Sequence, residues 1–231
     1  MKAQPPQNLA DLAGKHTGET IYVVATGDTL DDFDFAELGN SPRILIHRAA
    51  MAPEAIPCLS CSTYWLVRDY AWRLGEPGPW TETLARCHAG EMVGVLLHPM
   101  GTDRCGDTLI GPGPNVVSWR QSKNVDSLDR YRELDELYMD ASSGSTAAHL
   151  AVVLGAAKIV LIGFDGTGWA ACLQHLYGSK TANDHRTDKY HSAFESLMET
   201  LKLLHTPYEI RRPNNGKTQE EAATQAPTTR H

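Results

Sequence analysis

The sequence predicts one α/β domain whose sheet is mostly parallel and flanked by helices. Three observations lead there. Its strand-like runs are continuously apolar rather than alternating, which suits strands covered on both faces. They are separated by segments with helical spacing, the order expected of a parallel sheet with crossover helices. At 231 residues, 42% hydrophobic, the chain is long enough for one sizeable core and short for two.

The first run, Ile21 to Ala25, is β-branched and apolar and feeds Thr26-Gly27-Asp28-Thr29, a strand entering a tight turn. Arg43 to His47 repeats the pattern after the break Gly39-Asn-Ser-Pro42. Ser62 to Leu74, flanked by hydroxyl residues, reads as a short helix. Met92 to His98 follows the Gly/Pro-rich break at Gly75–Pro79 as a third buried strand, and Val116 to Trp119 as a fourth. In the segment Asp126 to Tyr138, Leu128, Tyr131, Leu134 and Leu137 recur at helical spacing.

Ser142-Ser-Gly-Ser145 then opens a helix from Thr146 to Leu154, with Gly155 placed to stop it. Lys158 to Ile162 is a strand ending at Gly163-Phe164-Asp165-Gly166. Phe194, Leu197, Leu201 and Leu204 mark a last amphipathic helix, and Tyr208 to Arg211 a last strand. The organisation expected is a flexible segment over 1–18, the α/β domain over 19–212, and a polar, disordered tail over 213–231.

Composition narrows the function. Lys+Arg 21 against Asp+Glu 28 gives −7, a surface with no general pull on nucleic acid or anionic membrane. No run of ~18 apolar residues predicts a membrane span. Residues 1–14 lack the charged start and apolar core of a secretory signal, so a cytoplasmic location is expected. The five cysteines are an odd count in dissimilar settings, which speaks against a disulfide framework. Cys58-Leu-Ser-Cys61 is a single CxxC; Cys87-His88, or Cys172 with His175, would have to complete any zinc site, and no such spacing is convincing.

In an open parallel sheet a ligand sits beyond the carboxyl ends of the strands. That selects Thr26–Thr29, His47–Ala50 and Gly163–Gly166. Gly27 permits close backbone approach, and Thr26 and Thr29 bring hydroxyls; the same residues also suit a plain strand-to-helix turn. Neither Gly-x-Gly-x-x-Gly nor a Gly-Lys-Ser/Thr phosphate loop is present. Ser142, Ser143 and Gly144 at a helix start offer N–H groups to a phosphate, or a serine simply caps the helix. His185, in a polar segment before the last helix, has a side chain suited to a general base near neutral pH, although it is one of ten histidines. Tyr177 and Tyr190 flank it.

These elements, in this order, resemble the bacterial lipooligosaccharide sialyltransferases and the wider hydroxymethylpterin diphosphokinase-like domains. The likeness is carried by Thr26-Gly-Asp-Thr-Leu30 after a strand, Ala141-Ser-Ser-Gly144 opening a helix, Leu154 to Asp165, and His185 before a helix. The resemblance implies a Rossmann-like domain binding a nucleotide-activated sugar. Thr26, Gly27, Asp28, Thr29, Ser142, Ser143, Gly144 and Asp165 would form the nucleotide site. His185 would deprotonate an acceptor hydroxyl, and Tyr177 would assist phosphate departure. Arg48 falls where the family has an asparagine near the nucleotide.

Two departures stand out: Ala25 replaces the first glycine of the family's loop, and Asp28 replaces its proline. A carboxylate beside phosphate costs Coulomb energy unless it meets ribose, base or metal. The donor therefore need not be the family's cytidine-monophosphate sugar. No metal is needed on this reading. The alternatives are a diphosphokinase, with Mg²⁺ on Asp28, Asp31 and Asp165, and a binding module without chemistry. The acceptor is left open between a small molecule, a glycan and a modified nucleic-acid base, and a homo-oligomer is compatible with the sequence.

Overall fold

The computed structural model of the protein describes residue 6 and residues 8–60, 62–67, 79–97, 115–123, 136–138, 142–164 and 187–211. Eight strands form one sheet: β1 (Thr20–Val24), β2 (Arg43–Ile46), β3 (Thr63–Val67), β4 (Val93–Leu97), β5 (Val116–Ser122), β6 (Glu136–Tyr138), β7 (Lys158–Ile162) and β8 (Tyr208–Arg211). Their order is β6-β5-β4-β3-β2-β1-β7-β8, and every neighbouring pair is parallel. Among the described residues three α-helices accompany them: α1 (Pro79–His88), α2 (Ser143–Val153) and α3 (Thr187–Leu204).

The continuous apolar runs are explained by alternation between two buried faces. Ile21, Val23, Ile44, Ile46, Leu66, Val95, Ile159 and Leu161 point to one core, where Leu150 of α2 and Leu197 and Leu201 of α3 cover them. Their neighbours Val24, Leu45, Trp65, Val67, Leu96, Val160 and Ile162 point to the other, under Leu30, Phe35, Ala49 and Cys87 of α1. Strands β2, β3 and β7 bury both sets of side chains, so no polar residue is needed at every second position. The α/β class expected from the sequence is the one observed.

Several expectations need correction. Thr63–Val67, placed in a helix over 62–74, is instead the central strand β3, hydrogen-bonded to β2 and β4 and buried at all five residues. Five consecutive core positions carry no period, so β-branching and aromatic content were the better guide. Glu136–Tyr138, placed at the end of a helix over 126–138, is edge strand β6, paired with β5. The rest of both segments, 68–74 and 126–135, lies outside the described residues. Helix α1 was not anticipated; it puts Thr83 and Cys87, four residues apart, on its buried side.

Part of the stretch expected as a flexible leader is anchored. Leu9–Leu12 form a short 3-10 helix capped reciprocally by Asn8 and Asp11, and both leucines are fully buried. From there the backbone follows the end of α2: Gly14, His16 and Gly18 donate to the carbonyls of Val153, Leu154 and Gly155 at 2.9, 2.7 and 3.0 Å. Gly155 has φ +94°, the left-handed stop that glycine allows. Of the tail expected over 213–231, no residue is among those described.

Strands β2 to β6 lie on one side of β1, and β7 and β8 on the other. The order reverses between β1 and β7, and in sheets of this kind the carboxyl edge at such a reversal is where ligands bind.

Candidate functional site at the carboxyl edge

At this reversal the ends of β1 and β7 stay paired beyond the strands. Ala25 N–H donates to Ile162 O at 2.8 Å and Gly27 N–H to Gly163 O at 2.9 Å. Gly163 has φ +73°, and a Cβ there would stand 2.6 Å from Ala25 O, so only glycine fits the seam. Gly27 is buried and its amide is spent on this seam, which gives it a structural reason distinct from the ligand approach expected of it. Leu30 N–H returns to Gly27 O at 2.9 Å, and Asp28–Leu30 is one 3-10 turn. Thr26 and Thr29 on either side are half-buried. Asp31, beyond the turn, is exposed.

The end of β2 supplies the second wall. His47 takes φ +49°, a left-handed conformation rare for residues other than glycine, in which Asn, Asp and His are the commonest. Its carbonyl accepts the indole N–H of the fully buried Trp65 at 2.8 Å, which fixes the turn. The chain continues as a 3-10 helix over His47–Met51, with Arg48 5% exposed.

Helix α2 supplies the third wall. Ser142 is its N-cap: the Ser142 hydroxyl oxygen accepts Ser145 N–H at 3.2 Å. The capping alternative considered for this segment therefore describes Ser142. Ser143, the first helical residue, lies against the second wall, its Oγ 2.8 Å from His47 Nε2 across 96 residues of sequence. At Gly144 a Cβ would meet Phe164 Cε1 at 2.8 Å and Leu197 Cδ2 at 3.1 Å. Glycine there lets Phe164, the residue after the seam, pack closely over the helix start.

Of the residues expected at the site, Thr26, Gly27, Thr29, Arg48, Ser142, Ser143 and Gly144 thus lie on the three segments that end at this edge, together with the backbone of Asp28. Asp165, Tyr177 and His185 lie outside the described residues. Asp165 directly follows Phe164, and α3 begins two residues after His185. The residue that sequence reading passed over is His47. The strand-end rule had selected its loop, but the resemblance drew the choice to Arg48, one position further on.

Among the described residues no group of three His, Cys, Asp or Glu side chains converges as a metal site. Cys87 is no candidate nucleophile, because burial pushes its thiol up to about 12. The arrangement is one of hydroxyls, an imidazole and a helix N-terminus, groups suited to an anionic ligand.

Fold and edge together define a parallel, doubly wound, Rossmann-like α/β domain. No family model matches the chain, and neither does any curated protein. Among solved structures it is similar to the sialyltransferase CST-II, determined in complex with a trisaccharide acceptor and CMP: 12% identity over 85% of this chain and 82% of that one, TM-score 0.45. No helix among the described residues is long and apolar enough to cross a membrane.

Proposed function

We propose that the protein is a glycosyltransferase-like enzyme that binds a nucleotide-activated sugar at the carboxyl edge and passes the sugar to an acceptor hydroxyl. One observation carries the reading: four segments remote in sequence meet where the strand order reverses. The β1 turn is sewn to Gly163, Phe164 packs on Gly144, and His47 touches Ser143. Doubly wound sheets bind nucleotides at such reversals. The motifs quoted above, Thr26 to Leu30 and Ser142 to Gly144, fall on two of the four segments.

In the proposed reaction the acceptor oxygen attacks the sugar carbon that bears the phosphate. The new carbon–oxygen bond forms as the bond to phosphate breaks, and His185 takes the acceptor proton. The nucleotide leaves with the bonding electrons as a phosphate anion. The Ser143 hydroxyl, the N-terminus of α2 and the Tyr177 hydroxyl stabilise that charge as it grows. No metal takes part, so turnover should survive chelation of divalent ions; its loss on chelation would favour a diphosphokinase using Asp28, Asp31 and Asp165.

Thermal shift against nucleotides and nucleotide sugars is the first test. A ligand at a hundred times its Kd stabilises by about 2.7 kcal/mol, roughly 5–10 °C for a domain of this size. A donor so identified then permits the second. His185→Ala should lower turnover by on the order of 10²–10⁴ and leave nucleotide binding unchanged. Equal loss of both would make the histidine structural. No shift with any nucleotide would remove the reading altogether.

A further inference from the structure

The contact between Ser143 and His47 bears on a question the proposed reaction leaves open: which way the serine hydroxyl points its proton. A hydroxyl 2.8 Å from an imidazole nitrogen either donates to it or accepts from it, and the choice sets what it offers a ligand. If Ser143 donates to Nε2, a lone pair faces outward and repels an anion. If Nε2–H donates to Ser143 Oγ, the serine proton is released to point outward and a phosphate oxygen finds a donor.

We infer that His47 is a positioning residue: its Nε2–H donates to Ser143 Oγ and so presets the Ser143 hydroxyl as a donor to an acidic oxygen of the ligand. The inference rests on the proposed nucleotide site, and it names a residue that the family likeness leaves unassigned. Three features support it. The imidazole stands on backbone at φ +49°, held by the 2.8 Å hydrogen bond from the Trp65 indole to the His47 carbonyl, so its place does not depend on a mobile turn. Ser143 opens α2, where the positive end of the helix favours an acceptor approaching from outside. The neighbouring Ser142 and Ser145 hydroxyls are 3.2 Å apart and engaged with each other, whereas Ser143 is turned to the histidine.

Two measurements test this, one needing no ligand. Nitrogen-15 NMR of the full chain above pH 8 reads the neutral tautomer of His47, and Nε2–H is expected. Ser143→Ala should move that Nε2 resonance and leave the other histidines in place. An Nδ1–H tautomer overturns the proposal, since Ser143 must then donate to His47. The second uses the nucleotide with the largest thermal shift as a calorimetric probe. His47→Ala and Ser143→Ala should each weaken binding about 3–10-fold, the double variant no more than either alone, and His47→Gln should recover most of the loss by restoring an N–H. Wild-type affinity in His47→Ala beside a loss in Ser143→Ala overturns the positioning role and leaves the nucleotide site standing. If no nucleotide binds, the proposed function fails and the tautomer alone decides.

Discussion

The two edges of the sheet use polar side chains for opposite ends. At the amino edge Arg43 is buried where β2 begins, and its guanidinium donates to the carbonyls of Ser41, Cys58 and Gly39 at 3.0, 3.1 and 2.6 Å. Burial pulls its pKa below the usual arginine value, and the three carbonyls engage each of its three nitrogens once. His16 spans Glu19 and the Tyr64 hydroxyl at 3.0 and 2.9 Å, and Lys158 at the start of β7 pairs with Glu209 at 2.7 Å. These groups close on the protein itself. At the carboxyl edge the chain instead uses glycine at close approaches, a left-handed histidine and a serine turned to it. Groups already committed to backbone confer stability; groups gathered on an edge where the topology reverses are placed for something else.

Substitutions can break that contrast, and the largest effect belongs to the amino edge. Arg43→Met should cost about 2–4 kcal/mol in denaturant unfolding, because three carbonyls lose a charged donor, while nucleotide affinity per folded molecule stays put. A change in affinity would mean the edges are coupled. Gly163→Ala comes next, at about 2–3 kcal/mol, since the new methyl meets Ala25 O and φ is unfavourable. Gly144→Ala should cost about 1–2 kcal/mol, because Phe164 has a ring edge that can shift.

Ser143→Ala sharpens the contrast from the other side: stability within about 0.5 kcal/mol of wild type, with nucleotide affinity reduced. The smallest effect is on pH. Lys158, by hydrogen bond and charge, holds Glu209 below its ordinary carboxylate range, so this pair stabilises the fold at neutral pH and the contribution is lost as pH falls through the lowered pKa. Urea midpoints of wild type and Glu209→Gln should differ slightly at pH 7 and converge in acid; a gap that widens in acid would reverse the sign.

Much of the fold was legible because a strand buried on both faces writes itself as an unbroken apolar run. Ile21 to Val24, Arg43 to Ile46 and Lys158 to Ile162 were found this way. Thr63–Val67 has the same burial but was obscured by the hydroxyl residues around it, and Glu136–Tyr138 is too short to show any pattern. The site was legible as loops, since the strand-end rule depends only on order along the chain. Its pairings were not. The contact between His47 and Ser143 exists only after the crossover brings the start of α2 to the end of β2, and no local spacing encodes it. The same holds for Gly27, whose reason lies in Gly163.

The anchored leader has a bearing on the opposite end of the molecule. Residues 14–18 grip the last turn of α2 by three backbone hydrogen bonds, while its first turn carries Ser143. A helix clasped at its heel cannot slide along the sheet, so the height at which Ser143 stands above β2 is set by a stretch of chain about 16 Å away, the length of eleven helical residues. Removing residues 1–18 would release that clasp, and the first place to register it should be the site rather than the new terminus.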